Sequence, residues 1–472
     1  MTGRLQTREE LDPKRVQTYY NSLTEGLPVA VLPTREGGGY GLFATRDIAS
    51  GEVIFTEKAL AGMQQAENRA FVLACAHCHR FTGSLALQAG LLGSKISRAE
   101  IAGKAIDNSN LPDVSYLQPG QNAACSADAA KAAATEAAVI PCPAGCGEVY
   151  CSQACLEADS SNGHALLCTG PIDDADHPLV RFKGHACETN DIFLLAGRAL
   201  ARAIQSWKSN GRDAEAATLP LRCFHGRPWW DAVAAGDSNP ELRQQCQQLV
   251  ADSVGLFKEA LVALGHWDDA LASFVNEEFF SRLVGTFELN NIGIQMRSPL
   301  KAAIDSAMAG DNENVPAQVA GLLEGLEQAA QAPGHDHHHS QDDSDDGSGG
   351  GSPGDSAGGD SGDPPESDDE DSAGSAELGI HSPDTLGFFD GTGLYALACM
   401  MNHSCLPSVK LLYPEDGRGT GVARVVALSD LLKGEEVYHS YLDVKWPFPR
   451  RRRTLERSYG FVCACQRCSS EQ

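Results

Sequence analysis

The spacing of the cysteines is the feature that most constrains this chain. Between residues 75 and 168, cysteines and one histidine form four pairs whose members are separated by two or three residues. Zinc prefers four sulfur or nitrogen ligands in a tetrahedron, and pairs this close can bind one ion together. The order of the pairs predicts two interleaved zinc sites: Cys75, Cys78, Cys151 and Cys155 on one ion, and Cys142, Cys146, His164 and Cys168 on the other.

Two alternatives to this assignment stay open. His77 and His79 flank Cys78 and compete as ligands of the first site. The paired residues could also be buried free thiols, although random spacing rarely gives four close pairs. Residues 1–12 lack the apolar region of a secretory signal, so the sixteen cysteines predict reduced thiols and metal rather than disulfides. We therefore expect a location in the nucleus or cytoplasm.

A third group of cysteines lies at the end of the chain. Cys463, Cys465 and Cys468 supply three ligands, and Cys405 is the natural candidate for the fourth. A zinc ion at this site would hold the C-terminal segment against residues 402–405. With this site, the predicted total is three zinc ions. The other cysteines have no ligand spacing and are predicted to be core thiols: Cys125, Cys187, Cys223, Cys246 and Cys399.

Charge and hydropathy narrow the classes of function. The net charge is −26, and half of it comes from residues 335–372, which hold thirteen Asp and Glu and neither Lys nor Arg. The remainder is still acidic, so we expect no direct DNA binding, which normally needs a basic surface. An acidic surface would instead attract a basic protein. Because the chain has no apolar run of about 18 residues, we also expect no membrane span.

Three segments resemble the motifs of a SET domain and occur in the same order along the chain. They are Gly39-Tyr40-Gly41-Leu42, Asn402-His403-Ser404-Cys405 and residues 434–443, which include Tyr441. The cysteine pairs between the first two segments resemble a MYND zinc finger, with three intervening residues in the second pair where the family usually has two, and with an unusually long insert after Cys78. The chain is therefore similar to the SET-and-MYND protein lysine methyltransferases, in the short branch that lacks a C-terminal helical-repeat domain and includes the plant trithorax-related type.

The resemblance implies a mainly β SET fold of short strands, split by the finger and by a helical insert. The implied divisions are N-terminal SET strands at 28–60, the MYND-like finger at 75–168, the helical insert at 185–298, an acidic, low-complexity, disordered linker at 299–383, the catalytic SET core at 384–443 and a post-SET zinc segment at 444–472. Apolar residues at helical spacing support the insert, and the composition of residues 334–374 supports the linker.

The same resemblance implies roles for individual residues. Tyr441 is expected to orient the reacting groups, although it could instead be a core tyrosine of a strand. The residues expected to bind S-adenosylmethionine are Gly38, Gly39, Tyr40, Asn402, His403, Tyr459 and Phe461. The residues expected to line a channel for the substrate lysine are Asn290, Tyr395 and Tyr438, with a buried structural asparagine as the alternative for the first.

The resemblance thus implies methyl transfer from S-adenosylmethionine to lysine side chains of a protein, histone or otherwise, by a monomer. The alternative is a catalytically silent scaffold whose finger recruits proline-rich partners. Residues Asn402, His403 and Tyr441 favour the enzyme, because a decayed site has no reason to retain all three.

Overall fold

The computed structural model describes residues 5–34, 39–103, 111–117, 139–170, 172–233, 240–310, 312–330, 386, 388–414 and 420–471. Their strands are short: β1 Val29–Pro33, β2 Tyr40–Ala44, β3 Val53–Lys58, β4 Ala61–Gln64, β5 Ile140–Pro141, β6 Val149–Tyr150, β7 Ile292–Met296, β8 Phe389–Leu394, β9 Asn402–His403, β10 Val409–Leu412, β11 Val422–Ala427 and β12 Tyr438–His439.

Helices lie between and around these strands. They are α1 Pro13–Thr24, α2 Leu85–Leu92, α3 Arg98–Gly103, α4 Gln153–Asp159, α5 Ala165–Leu167, α6 Pro178–Thr189, α7 Ile192–Ser209, α8 Ala214–Arg222, α9 Trp229–Val233, α10 Pro240–Ala263, α11 Glu277–Asn290, α12 Pro299–Met308, α13 Val315–Ala330, α14 Phe448–Thr454 and α15 Gln466–Ser470. Single turns of 3₁₀ or π helix add Arg8–Glu10, Glu67–Ala70, Ser115–Leu117, Ser160–His164, Asp269–Ser273, Ala398–Met400 and Leu455–Tyr459.

About half of the described residues are helical, and no sheet among them has more than three strands. The prediction of a mainly β fold is therefore not confirmed. The sequence motifs identified the strands that surround the site, whereas the helices from α6 to α11 supply a large part of the helical content. In α7, for example, apolar residues at helical spacing are buried on one face, with Phe193, Leu200 and Ile204 fully covered.

The sheets join the two ends of the chain. Strand β3 pairs with β11 in the three-stranded sheet β10-β11-β3, and β4 pairs with β8 in the sheet β4-β8-β7. Strands β1 and β2 form a hairpin, and β9 runs parallel to β12. Because each larger sheet needs strands from both sides of the finger and the helical insert, residues near position 40 and beyond position 400 meet in one core.

The predicted linker does not begin at residue 299. Helices α12 and α13 occupy most of residues 299–330, and their apolar faces share a second core cluster with α2, in which Leu300, Ile304, Val319 and Leu326 are buried. Apolar residues four positions apart stabilise these helices by burial, so this part of the predicted linker is wrong. The acidic run at 335–372 lies outside the described residues. No described helix is long and apolar enough to cross a membrane.

Candidate active site

All three predicted zinc-ligand sets come together. Within each set the ligand atoms lie within 4.8 Å of one another. A tetrahedron with Zn–S bonds of about 2.3 Å places sulfurs about 3.8 Å apart. The sulfur separations are 3.6 Å for Cys78–Cys151, 3.7 Å for Cys142–Cys168 and 3.5 Å for Cys405–Cys468. The three clusters therefore fit three zinc ions.

The two histidines that competed for the first site are not among its ligands. Nδ1 of His77 lies 4.0 Å from a carboxylate oxygen of Asp159, and the His79 ring packs 5.4 Å from the ring of Phe389. Asp159 also accepts a hydrogen bond from Tyr150 at 2.9 Å and lies 3.9 Å from Nδ1 of the ligand His164. A carboxylate at this position orients the imidazole of a zinc ligand.

Asn402 joins the three SET-like segments at one point. Its Nδ2 donates to the backbone carbonyl of Tyr40 at 3.2 Å and to Oε1 of Glu436 at 2.7 Å. The other oxygen of Glu436 accepts from the hydroxyl of Tyr438 at 2.6 Å. A β-carbon on Gly41 would lie 2.4 Å from Glu436 Oε1, so only glycine leaves room for this network. Glu436 was not among the predicted site residues, although it lies within the 434–443 motif.

Tyr441 lies in an aromatic cluster built from the second and third SET-like segments and from the C-terminal segment. Its ring centroid is 4.9 Å from those of His439 and Tyr459, 5.3 Å from that of His403 and 6.4 Å from that of Phe461. The hydroxyl donates to the backbone carbonyl of Met401 at 3.1 Å. Burial raises the pKa of Tyr441 well above its ordinary value, so the hydroxyl remains protonated. Burial also lowers the pKa of His439 to about 4, which keeps that neighbour neutral.

Two cavities meet at this cluster. The larger has a volume of about 1470 Å³, and the predicted cofactor residues that line it are Gly39, Tyr40, Asn402, His403, Tyr459 and Phe461. The smaller, of about 420 Å³, lies against β10 and the segment 439–444. Five residues line both cavities: Leu289, Asn290, Cys399, Tyr441 and Tyr459.

The three residues predicted to line the lysine channel differ in their position relative to the two cavities. Asn290 lines both cavities, and Tyr438 lines the larger one. Tyr395 is fully buried, and its hydroxyl donates to the carbonyl of Gly421 at 2.9 Å, away from both cavities. The channel prediction for Tyr395 is therefore wrong, because the backbone turns its ring into the core. Gly38 lies outside the described residues.

Cys399 has a different place from the one predicted. It was expected to be a core thiol, but it lines both cavities, and its thiol donates to the carbonyl of Asn290 at 2.9 Å. No signal in the sequence distinguishes this cysteine from Cys223 or Cys246, which are buried in the core. Cys187 is exposed rather than buried, and Cys125 lies outside the described residues.

Comparisons with known proteins show which proteins the chain resembles. No family model matches the chain. It is 26% identical to histone-lysine N-methyltransferase ATXR2 of Arabidopsis thaliana, over 97% of this chain and 94% of that protein. It is 25% identical to protein-lysine N-trimethyltransferase SMYD5 of Mus musculus, over 92% of this chain and 84% of that protein. A segment of 82 aligned residues, 17% of this chain, is 40% identical to 18% of N-lysine methyltransferase SMYD2-B of Xenopus laevis. Its homologues over most of its length are thus protein-lysine methyltransferases.

Proposed function

We propose that this homologue of the protein-lysine methyltransferases transfers a methyl group from S-adenosylmethionine to lysine side chains of a protein. One observation carries the proposal: two cavities share a wall at Tyr441, Asn290 and Cys399. A cofactor in one cavity and a lysine in the other would then approach each other from opposite sides. Such positioning is a large part of the catalysis of a two-substrate transfer.

The larger cavity has room for the cofactor and is lined by side chains suited to it. S-adenosylmethionine, when bound, supplies a methyl group on a sulfonium centre. The rings of Tyr459 and Phe461 offer apolar faces to an adenine, and Asn402 and His403 offer polar groups beside them. We assign Gly39 and Tyr40 to the same set, and Gly38 to it from the sequence alone.

Tyr441 and the residues around it would prepare the lysine amine. The amine must lose a proton before transfer, and the pKa of an ordinary lysine is about 10.4. Burial among Tyr441, Tyr459 and the neutral His439 disfavours the charged ammonium. None of the five residues that line both cavities is acidic, so we propose no carboxylate base. Asn290 would form part of the channel wall, with its side chain held by the carbonyls of His225 and Thr286.

The proposal extends to the substrate class, the partners and the location of the protein. A protein with an accessible lysine is the substrate class, and the name of the plant relative makes histones the first substrates to test. We propose action as a monomer in the nucleus or cytoplasm, no direct contact with DNA, and a proline-rich partner at the finger.

Calorimetry and isotope transfer test the proposal together. The zinc-loaded chain is titrated with S-adenosylmethionine and then incubated with the radiolabelled methyl donor, core histones and a cell lysate. We expect saturable binding and label that hydrolysis and mass spectrometry locate on lysine. Binding without any labelled protein would favour the silent scaffold, and the absence of binding would contradict the proposal.

A further inference from the structure

The N-terminal segment forms part of the larger cavity, although it precedes every SET-like motif. Residues of the turn Arg8–Glu10 and of α1 line this cavity together with the motif residues. The turn is held by a capping box in which the amide of Thr7 donates to Glu10 at 2.8 Å. Helix α1 is anchored by Tyr20, whose hydroxyl donates to the carbonyl of Cys223 at 2.9 Å. The segment is therefore an ordered wall of the cavity.

Arg8 is positioned by the ring of Tyr40. Its guanidinium carbon lies 4.9 Å from the centroid of that ring, within the range of a cation–π interaction. On the inner side, the Tyr40 ring packs 6.0 Å from the ring of Tyr20, and the Tyr40 carbonyl accepts from Asn402. Arg8 is therefore held at the wall of the cavity by packing against Tyr40, the residue whose carbonyl contacts Asn402.

The charges around this cavity give Arg8 a distinct role. Among the described residues that line it, Arg8 is the only Lys or Arg, and the acidic residues are Glu9 and Glu436. Glu436 already accepts hydrogen bonds from Asn402 and Tyr438. A carboxylate that enters a partly buried cavity needs a cationic or N–H partner, because leaving it unpaired costs free energy. S-adenosylmethionine carries one carboxylate, on its amino-acid end.

We infer that Arg8 binds the carboxylate of S-adenosylmethionine. The inference rests on the proposed function and extends the cofactor site to a segment outside the SET-like motifs. A guanidinium has five N–H donors in a planar fork that matches a carboxylate, so the pair can form two parallel hydrogen bonds. Tyr40 would hold the guanidinium plane while leaving its edge available.

A pair of ligands that differ by one group tests the inference. Calorimetry on the full zinc-loaded chain compares S-adenosylmethionine with decarboxylated S-adenosylmethionine, for the wild type, Arg8→Met and Arg8→Lys. We expect Arg8→Met to lower the affinity for S-adenosylmethionine by about tenfold or more, which is the size of a lost charged hydrogen bond. The affinity for the decarboxylated ligand should not change. Arg8→Lys should recover part of the loss, because it restores the charge without the planar fork. Lys14→Met, which removes an exposed cation that does not line the cavity, should change neither affinity.

An equal loss of affinity for both ligands in Arg8→Met would overturn the inference, since it would mean that Arg8 only supports the cavity wall. Unchanged affinities for both ligands would overturn it as well. In either case wild-type binding of S-adenosylmethionine would leave the proposed function standing. If the wild type bound neither ligand, the proposed function and the inference would both fail.

Discussion

His403 connects Tyr441 to the third zinc cluster. The backbone amide of Tyr441 donates to Nδ1 of His403 at 3.0 Å, and Nε2 of the same ring lies 3.3 Å from Sγ of Cys405. Burial, with a contribution from the nearby Arg451, lowers the pKa of His403 to about 4. The imidazole is therefore neutral at pH 7, with Nδ1 free to accept and its proton on Nε2. The backbone position of Tyr441 thus depends on a ring that borders a metal ligand.

Replacing Cys405 should disturb both sites. We expect Cys405→Ser to reduce the zinc content from three ions to two. The affinity for S-adenosylmethionine should fall on the order of tenfold or more, because Tyr459 and Phe461 belong to the segment that this zinc holds. Elemental analysis and calorimetry measure the two effects. The exposed cysteine variant Cys187→Ser should keep three ions and the wild-type affinity. Three ions in Cys405→Ser would show that the ligand set is wrong.

Removing the hydroxyl of Tyr441 should slow methyl transfer without preventing cofactor binding. Tyr441→Phe loses the hydrogen bond to the carbonyl of Met401 at 3.1 Å, which orients the side chain of residue 441 at the junction of the cavities. We expect the rate of methyl transfer to fall by about a hundredfold, the size of effect that a small misplacement of reacting groups produces. Single-turnover transfer of labelled methyl gives the rate, and calorimetry should give nearly the wild-type affinity. Tyr116→Phe is the matched control and should change neither, because Tyr116 packs against the second core cluster and its hydroxyl donates to the carbonyl of Gln318, away from both cavities. A wild-type rate in Tyr441→Phe would remove Tyr441 from the proposed mechanism.

A methyl group at position 41 should weaken the cofactor site. The new β-carbon of Gly41→Ala would lie 2.4 Å from Glu436 Oε1 and 3.1 Å from Asn402 Nδ2, so the bond between these two side chains must lengthen or break. We expect cofactor affinity to fall by about tenfold, corresponding to one charged hydrogen bond. In Gly255→Ala, on α10, the added carbon meets no atom within 4 Å, and we expect a gain of roughly 0.5–1 kcal/mol in the free energy of unfolding. Equal cofactor affinity in both variants would contradict the packing argument.

Glu57 should make stability depend on pH. Its carboxylate accepts from the amides of Leu397 and Ala398, both at 2.9 Å, just before the segment that leads to Asn402. Burial raises the pKa of Glu57 from 4.5 to about 7, although these amide hydrogen bonds act in the opposite direction. Because the folded state then holds the proton more tightly than the unfolded state, the contribution of Glu57 to stability is complete below pH 4.5 and is lost as the pH rises through 7.

Chemical unfolding at pH 6 and pH 8 measures this effect. Relative to Glu57→Gln, which mimics the protonated side chain, the wild type should lose about 1 kcal/mol of unfolding free energy between the two values. The exposed variant Glu25→Gln should follow the wild type. Parallel curves for the wild type and Glu57→Gln would exclude the raised pKa.

The spacing of the cysteine and histidine pairs was sufficient to predict the metal sites. Zinc ligands in each finger site are pairs a few residues apart, and such spacing brings ligands together through local backbone geometry. The ligand atoms of the two interleaved finger sites, and those of the third cluster with Cys405, converge as this prediction requires. The motif around Asn402 also predicted its neighbours, and the amide contacts Tyr40 across 362 positions of the chain.

Which other side chains face the cavities depends on long-range packing that no motif reports. Arg8 belongs to no motif, and Cys399 has no spacing that sets it apart from a core thiol. Tyr395 directly follows β8, and its ring points into the core. Their orientation depends on how segments distant in the chain pack, and hydrophobic periodicity reports only which face of an element is covered. The same reason explains why about half of the described residues are helical in a chain whose recognisable motifs lie on strands.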